Sequence, residues 1–292
     1  MDKWNLVIDV ALCENCNNCL LATRDELVGN HFPGYSAPHP SEGGDVLAIR
    51  RKVRGVTPMI DVSYMPVLCN HCDDAPCIRA AGDDSIRKRN DGIVLIDPVK
   101  AQGRRDLVDA CPYGAIVWNE KEQLPQNWFF DAHLLDRGES APRCVPVCPT
   151  SAIEAVKVTD EEMAARVSRE RLQTLRPELQ TRPRVYYRNL DRFDTCFIGG
   201  TVSSLHDGIL DCAVGATVRL LKDSKEIAAT RSDEFGDFRF DGLVPNGGDY
   251  QVIVSQDSRS AQVVAELRAE SIYLGDLLLQ QLDASSTAAL QQ

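Results

Sequence analysis

The stretch CENCNNC, residues 13–19, places three cysteines near the start of the chain, each separated from the next by two residues. Three thiolates at this spacing can wrap one face of a [4Fe-4S] cluster, whose fourth ligand comes from a distant Cys-Pro pair. The proline keeps the turn extended and removes a backbone donor. The arrangement predicts a protein that carries electrons.

Two features further along the chain complete this pattern. The pairs Cys111-Pro112 and Cys148-Pro149 are the candidate sources of the fourth ligands. A second loop, CNHC at residues 69–72 followed by Cys77, repeats the arrangement of the first. The chain therefore offers two cysteine loops and two remote cysteines.

The composition is typical of an intracellular globular protein. The 292 residues allow two domains, and an apolar fraction of 43% suffices for packed cores. Nine of the eleven cysteines lie between residues 13 and 148, but CxxCxxC loops are too tight to pair within themselves, which argues against a disulfide framework. The apolar run Leu6-Val7-Ile8 is shorter than a signal-peptide core or a membrane span. We therefore expect a cytoplasmic protein, unless it is exported attached to a partner.

The formal charge of −11 argues against nucleic acid as the main ligand. Two basic runs, residues 50–54 and residues 87–89, are local exceptions. Each is interpreted as a solvated face, with a docking rim for a partner or charge compensation of a buried anionic cluster as the alternatives.

The pattern of short apolar runs predicts an α+β protein with two domains. In the first part, strands are expected at residues 5–10, 92–96 and 115–118, and a helix capped by Thr159 at residues 160–175. From Cys196 on, period-two runs separated by Gly, Asn and Asp turns predict a small antiparallel β-sandwich of the immunoglobulin-like or carboxypeptidase-regulatory-like kind. The predicted boundaries are 1–175 for the iron-sulfur domain, 176–194 for a connector, 195–282 for the sandwich and 283–292 for a frayed tail.

Several longer stretches resemble one family. DGIVLIDP (91–98), CPYG (111–114), AHLLD (132–136) and PRVYY (183–187) are similar to the small subunits of pyrogallol-phloroglucinol transhydroxylase and resorcinol hydroxylase. These belong to the four-cluster ferredoxin subunits of molybdopterin oxidoreductases. The resemblance runs through almost the whole chain, because that transhydroxylase subunit also ends in a β-sandwich with the Gly-x-Phe-x-Phe pattern of residues 236–240.

The resemblance implies which cysteines bind which cluster. In the family, four cysteine groups pair first with fourth and second with third. Two complete [4Fe-4S] sites result, with eight iron ligands in all: Cys13, Cys16, Cys19 and Cys148 for the first cluster, and Cys69, Cys72, Cys77 and Cys111 for the second. The implied fold of the first domain is ferredoxin-like.

The same carry-over implies that two family sites are lost. The third site has no thiol at its four positions, which hold Ala81, Ala101, Arg104 and Leu107. The fourth site keeps one thiol of four, at positions that hold Thr23, Trp128, Asp131 and Cys144. The aromatic run Trp128-Phe129-Phe130 is expected to supply apolar volume where a cluster would sit.

The remaining candidates receive modest interpretations. His71 either hydrogen-bonds a cluster sulfur, raising its potential, or is a structural histidine. His133 is expected to pack, and Cys144 to be an inert buried thiol. Cys196 and Cys212 are interpreted as core or strand residues of the second domain, with a disulfide as the alternative.

The sequence thus predicts an iron-sulfur subunit, for electron transfer or an accessory role, of a molybdopterin-dependent hydroxylase or transhydroxylase acting on phenols such as resorcinol or pyrogallol. No constellation suggests a catalytic residue in this chain. The resemblance places molybdenum, its molybdopterin guanine dinucleotide and the catalytic centre on a larger partner subunit. The alternatives are a zinc-stabilised, non-redox interaction module, since Cys-x-x-Cys pairs also bind zinc, or a ferredoxin acting alone.

Overall fold

The computed structural model describes residues 1–281, so the predicted tail 283–292 lies outside the described residues. Contacts between Cα atoms divide the chain into two units. The first comprises Met1–Arg51 and Ser63–Phe193, and the second comprises Lys52–Val62 and Asp194–Gln292. Within the described residues, no helix is both long and apolar enough to cross a membrane.

The first unit combines short strands and short helices. Its strands are β1 (Lys3–Asp9), β4 (Ile86–Lys88), β5 (Val94–Ile96), β6 (Ile116–Asn119), β7 (Leu124–Asn127), β8 (Ile153–Val158) and β9 (Val185–Arg188). Its helices are α1 (Asn18–Leu27), α2 (Pro76–Ala81), α3 (Ala132–Leu135) and α4 (Asp160–Glu170), with 3-10 turns at Arg105–Leu107 and Pro177–Leu179. The strands β2 (Leu47–Val56) and β3 (Met59–Leu68) form a hairpin whose tip belongs to the second unit, and α5 (Asp191–Asp194) spans the boundary.

A three-stranded sheet with the order β8-β1-β9 organises the first unit. Strand β1 runs antiparallel to β8 and parallel to β9. Side chains of a strand alternate between faces, so Leu6 and Ile8 enter the main core while Val7 packs with Met163 of α4. The stretch predicted as a connector contains β9, which completes this sheet.

Helix α4 begins where the sequence predicts and ends sooner. Thr159 forms a capping box with Glu162: the Glu162 amide donates to Thr159 Oγ1 at 3.2 Å, and the Thr159 amide donates to Glu162 Oε2 at 2.9 Å. The helix ends at Glu170 because Arg171 adopts a left-handed conformation, with φ of 52°. The prediction that it extends to residue 175 is therefore wrong. The Gln173 amide instead donates to the carbonyl of Tyr187 in β9 at 2.9 Å.

The second unit is rich in strands. These are β10 (Cys196–His206), β11 (Ile209–Cys212), β12 (Thr217–Lys222), β13 (Lys225–Arg231), β14 (Asp237–Leu243), β15 (Gly248–Gln256), β16 (Arg259–Leu267) and β17 (Ile272–Gln281). The hydrogen-bonded order is β11-β10-β17-β16-β15-β12-β13, and β14 pairs with β10. All of these pairs are antiparallel except β10 and β17, which run parallel. The expectation of a purely antiparallel arrangement is wrong at that pair, because β17 leaves β16 and crosses to the other half of the sheet.

The tip of the β2–β3 hairpin is anchored in the second unit by a buried arginine. Arg54 is only 2% exposed, forms an ion pair with Asp61, and donates to Asp241 at 2.8 Å. Its guanidinium lies 5.6 Å from the centre of the Phe197 ring. The basic run 50–54 is therefore not solvated throughout, since its last member is buried and paired.

Candidate iron-sulfur sites

The first thiol set forms where β1 leads into α1. Cys13 and Cys16 lie in the connecting loop, and Cys19 lies in the first turn of α1. Asn15 and Asn17 have φ of 56° and 63°, left-handed values that asparagine tolerates better than most residues, and they let the loop curl.

Cys148 joins this set from a turn before β8, far away in sequence. The neighbouring thiols Cys13, Cys148 and Cys16 all act to raise the pKa of Cys19, and burial raises it most, to about 11 in total. The raised pKa of Cys19 disfavours its thiolate, and a cationic iron centre would compensate that charge.

The second thiol set surrounds a cavity. Cys69 and Cys72 follow β3, Cys77 lies in the first turn of α2, and Cys111 follows the first 3-10 turn. All four line one cavity, together with apolar side chains that include Ile86. Burial, reinforced by Cys111 and Cys72, raises the pKa of Cys77 to about 11.

The two Cys-Pro segments fold in the same way. The Ala115 amide donates to Cys111 Sγ at 3.5 Å, and the Ala152 amide donates to Cys148 Sγ at 3.2 Å. The residue before each alanine, Gly114 or Ser151, has a positive φ. Such backbone donors stabilise charge on sulfur, so each Cys-Pro turn suits a cluster ligand. In the sequence, only the Cys-Pro pair itself signals this shared turn.

The donor chemistry of both sets fits a [4Fe-4S] cluster, which requires four thiolates. Over residues 1–281, no three His, Cys, Asp or Glu side chains lie close enough together to hold a single metal ion. The four cysteines of the second set line one enclosed space.

The comparisons with known proteins agree with this chemistry. Residues 60–158 match the family described as a 4Fe-4S dicluster domain. The chain is 42% identical to the pyrogallol hydroxytransferase small subunit of Pelobacter acidigallici, over 96% of this chain and 100% of that protein. The chain belongs to the family of iron-sulfur subunits of molybdopterin oxidoreductases.

More distant relatives match about two thirds of the chain. A putative iron-sulfur subunit of dimethyl sulfoxide reductase from Halobacterium salinarum is 29% identical, over 65% of this chain and 80% of that protein. A subunit of tetrathionate reductase from Salmonella typhimurium is 30% identical, over 65% of this chain and 73% of that protein. These relatives favour an iron-sulfur subunit over a zinc module or a ferredoxin acting alone.

The four positions of the third family site lie together in the structure and are packed. Ala81, Ala101 and Leu107 belong to one small apolar core. Arg104 covers them, with Nη2 donating to the Ala81 carbonyl at 3.5 Å and the guanidinium paired with Asp106 at 2.8 Å. Side chains thus occupy the space that a cluster would need.

The four positions of the fourth family site are also buried. Thr23 is 2% exposed, and Trp128, Asp131 and Cys144 are fully buried. Asp131 Oδ2 accepts a hydrogen bond of 2.8 Å from the Arg143 amide, while burial raises the pKa of this carboxyl. Burial, helped by nearby Asp131, also raises the pKa of Cys144, which agrees with an inert thiol.

A cluster of tilted aromatic rings at the fourth family site contacts the second cysteine loop. The Trp128 ring lies 4.8 Å from Phe130 and 5.6 Å from His71 of the second cysteine loop. On the other side, Cys144 lies close enough to Cys19 and Cys148 of the first set for their charges to raise its pKa. Residues of the fourth family site therefore neighbour both thiol sets, and aromatic rings are part of that site.

His71 cannot donate a hydrogen bond from Nδ1 to a cluster sulfur. The Val94 amide donates to His71 Nδ1 at 3.0 Å, so this nitrogen carries a lone pair and the proton is on Nε2. Burial lowers the pKa of the fully buried ring to about 3, which keeps it neutral. The donor to this set is instead Asn127, whose Nδ2 lies 3.4 Å from Cys69 Sγ. The Nε2–H group has no hydrogen-bond partner among the described residues, and His71 lines the cavity of the second set, so donation to a cluster sulfur and a structural role both stay open.

The other sequence candidates have clear surroundings. His133 packs 3.9 Å from the Phe32 ring and also shares a hydrogen bond of 2.8 Å with Glu26, so its role goes beyond packing. Cys196 is buried and Cys212 is exposed, and all eleven cysteines, each of which is described, are free thiols. The disulfide alternative is therefore wrong for this structure.

Proposed function

We propose that the chain holds two [4Fe-4S] clusters. The proposed ligands are Cys13, Cys16, Cys19 and Cys148 for the first cluster, and Cys69, Cys72, Cys77 and Cys111 for the second. The observation that carries this proposal is the contrast between two complete thiol sets and two family sites filled by side chains. When bound, each cluster supplies a one-electron carrier. The residues of this chain position it, exclude water and donate hydrogen bonds to its sulfurs.

We infer that this subunit serves a larger catalytic subunit that carries molybdenum and molybdopterin guanine dinucleotide. The 42% identical relative is the small subunit of a pyrogallol hydroxytransferase, which favours a phenol such as pyrogallol or resorcinol as the substrate of the complex. This chain supplies no catalytic residue. We expect the complex to be a heterodimer or a higher assembly in the cytoplasm, with no nucleic acid as a partner and no membrane span in this chain.

The second unit has the architecture expected of a docking module. We infer a β-sandwich, because side chains from both halves of its sheet meet in one core: Ile198, Val202 and Phe238 from one half, and Val218 and Val252 from the other. None of the proposed ligands lies in this unit. Its role is to enlarge the surface that binds the catalytic subunit.

Iron analysis of the anaerobically purified protein tests the cluster assignment. Two clusters require about eight iron and about eight sulfide per chain, with a broad absorption band and the EPR signals of reduced [4Fe-4S] clusters. About twelve iron would show that a residue of the fourth family site, such as Thr23 or Asp131, serves as a ligand. Zinc in place of iron would overturn the proposal.

Purification of the tagged chain from its own organism tests the assignment to a complex. We expect a larger molybdenum-containing subunit to accompany it, and the complex to convert a phenol. Transhydroxylation of pyrogallol needs no external oxidant, whereas hydroxylation of resorcinol releases two electrons, so adding an acceptor dye separates the two reactions. Recovery of the chain alone, with both clusters, would favour a separate ferredoxin.

A further inference from the structure

A half-buried lysine is held against the second cysteine loop. Lys88, whose side chain is 20% exposed, donates from Nζ to the carbonyls of His71 at 2.8 Å, Cys72 at 3.0 Å and Gly92 at 2.9 Å. It also forms an ion pair of 2.9 Å with Asp73. Four acceptors surround this nitrogen, and only the ammonium form, with three N–H donors, can serve most of them at once. The lysine is therefore a positive charge held against the backbone of the loop that carries Cys72.

The neighbouring charges do not cancel this ammonium. Asp73 is shared, because it also forms ion pairs with Arg184 and, at 4.0 Å, with Lys3. Asp160 adds a second carboxylate, which pairs with the same arginine at 2.9 Å. Three cations thus face two carboxylates, and the local balance is one positive charge.

The ammonium of Lys88 lies against a residue that carries a proposed ligand sulfur. Its Nζ donates directly to the carbonyl of Cys72 at 3.0 Å and to that of His71, in the same loop, at 2.8 Å. Among the described residues, the hydrogen bonds and the ion pair of Lys88 go to the second cysteine loop, to Asp73 and to Gly92, and none goes to the first thiol set.

Reduction of a [4Fe-4S] cluster adds one electron and therefore one negative charge, without making or breaking a bond to the protein. A nearby cation in a water-poor site stabilises that added charge more strongly than the same cation in water. We propose that Lys88 raises the reduction potential of the second cluster and leaves that of the first unchanged. This inference rests on the proposed function, since it requires both clusters to be present. Lys88 acts through its charge, because its hydrogen bonds are with the backbone of the cysteine loop.

Redox titration of the full-length protein, monitored by EPR with dithionite as reductant, tests the proposal. The signal that disappears in Cys148→Ala identifies the first cluster. In Lys88→Met we expect the equilibrium constant for one-electron reduction of the second cluster to fall at least tenfold. A tenfold change lowers the reduction potential of a one-electron couple by about 59 mV. The first cluster should shift by less than threefold. Lys88→Arg, which retains the charge, should restore the second cluster to within threefold of the wild-type equilibrium.

Two further variants separate charge from structure. Asp73→Asn removes the counter-ion and keeps the lysine, so the second cluster should become easier to reduce, by at least threefold. Lys100→Met removes the same charge from an exposed side chain paired with Asp84, and both clusters should stay within threefold of wild type.

Two results for Lys88→Met would overturn the proposal. These are equal shifts in the reduction potentials of both clusters, and no shift in that of the second cluster. If Lys88→Met fails to retain the second cluster, Asp73→Asn decides, and no increase in the ease of reduction would refute the role of charge. Failure of the proposed function would give a different result, because the wild-type protein would then contain fewer than about eight iron atoms per chain.

Discussion

Replacing Cys148 by alanine is expected to destabilise the first unit by far more than one lost side chain would. Cys148 and Cys19 are 129 positions apart in the sequence, and the structure brings their thiols into one set. A cross-link that closes a loop of this length stabilises a fold by about 5 kcal/mol, by limiting the unfolded chain. Many domains have a total stability of about 5–15 kcal/mol, so this loss would be severe.

The second thiol set allows a comparison, because its ligands close a shorter loop of the chain. Cys77 and Cys111 are 34 positions apart, for which the same relation gives about 4 kcal/mol. Cys111→Ala should therefore also destabilise the unit, by about 1 kcal/mol less than Cys148→Ala. Cys212→Ala, which removes an exposed thiol of the second unit, is the matched control and should change nothing.

Anaerobic urea unfolding followed by tryptophan fluorescence measures this effect. All three tryptophans, Trp4, Trp118 and Trp128, lie in the first unit, so the signal reports on that unit. With a urea dependence of about 2.5 kcal/mol per molar, a loss of about 5 kcal/mol lowers the midpoint by about 2 M. A Cys148→Ala protein that has lost one cluster and still unfolds at the wild-type midpoint would refute the reasoning.

Three other predictions concern pH, electron flow and the second unit. Burial lowers the pKa of His39 from 6.5 to about 4, so between these pH values the unfolded chain binds more protons than the folded chain. The free energy of unfolding is therefore at its full value above pH 6.5 and falls by about 3 kcal/mol as the pH drops to 4. Urea midpoints measured against pH should show this loss in the wild type and not in His39→Gln. The family resemblance implies that the first cluster lies nearest the molybdenum subunit and that the fourth family site, which here includes the aromatic rings at Trp128, lies between the two clusters. In rapid-freeze EPR of the complex mixed with substrate or a mild reductant, the first cluster should therefore be reduced well before the second, and equal millisecond reduction of both would contradict this order. Deleting the chain from Asp194 onward exposes the hairpin tip, where Arg54 is buried, so we expect this variant to aggregate. A second variant carries the same deletion and has residues 52–62 replaced by a short turn. It should keep both clusters and bind the catalytic subunit more weakly. Unchanged binding in a pull-down would count against a docking role.

The sequence by itself identified the chemistry, because metal-ligand spacing is a local property. The run at residues 13–19 can present three thiols to one cluster whatever the rest of the chain does. Local rules also predicted the start of α4, since the capping box of Thr159 needs only four consecutive residues. The family resemblance added the pairing of each loop with a remote cysteine.

Only the tertiary structure decided what surrounds the positions of the two family sites that lack a full set of thiols. Sequence showed that thiols were missing, but packing showed Arg104 covering one site and aromatic rings filling the other. The role of His71 also needed the structure, because the partner of Nδ1 is an amide 23 positions away.

The burial of Arg54 in the hairpin tip and of Lys88 could also be found only from the tertiary structure. In the sequence, Arg54 and Lys88 both appear in basic runs, a pattern typical of a solvated surface. Each is drawn away from solvent because its partners come from distant segments: Asp241 for Arg54, and the carbonyls of His71 and Cys72 for Lys88. Periodicity and composition describe neighbours along the chain, whereas the charge that a buried group experiences depends on neighbours in space.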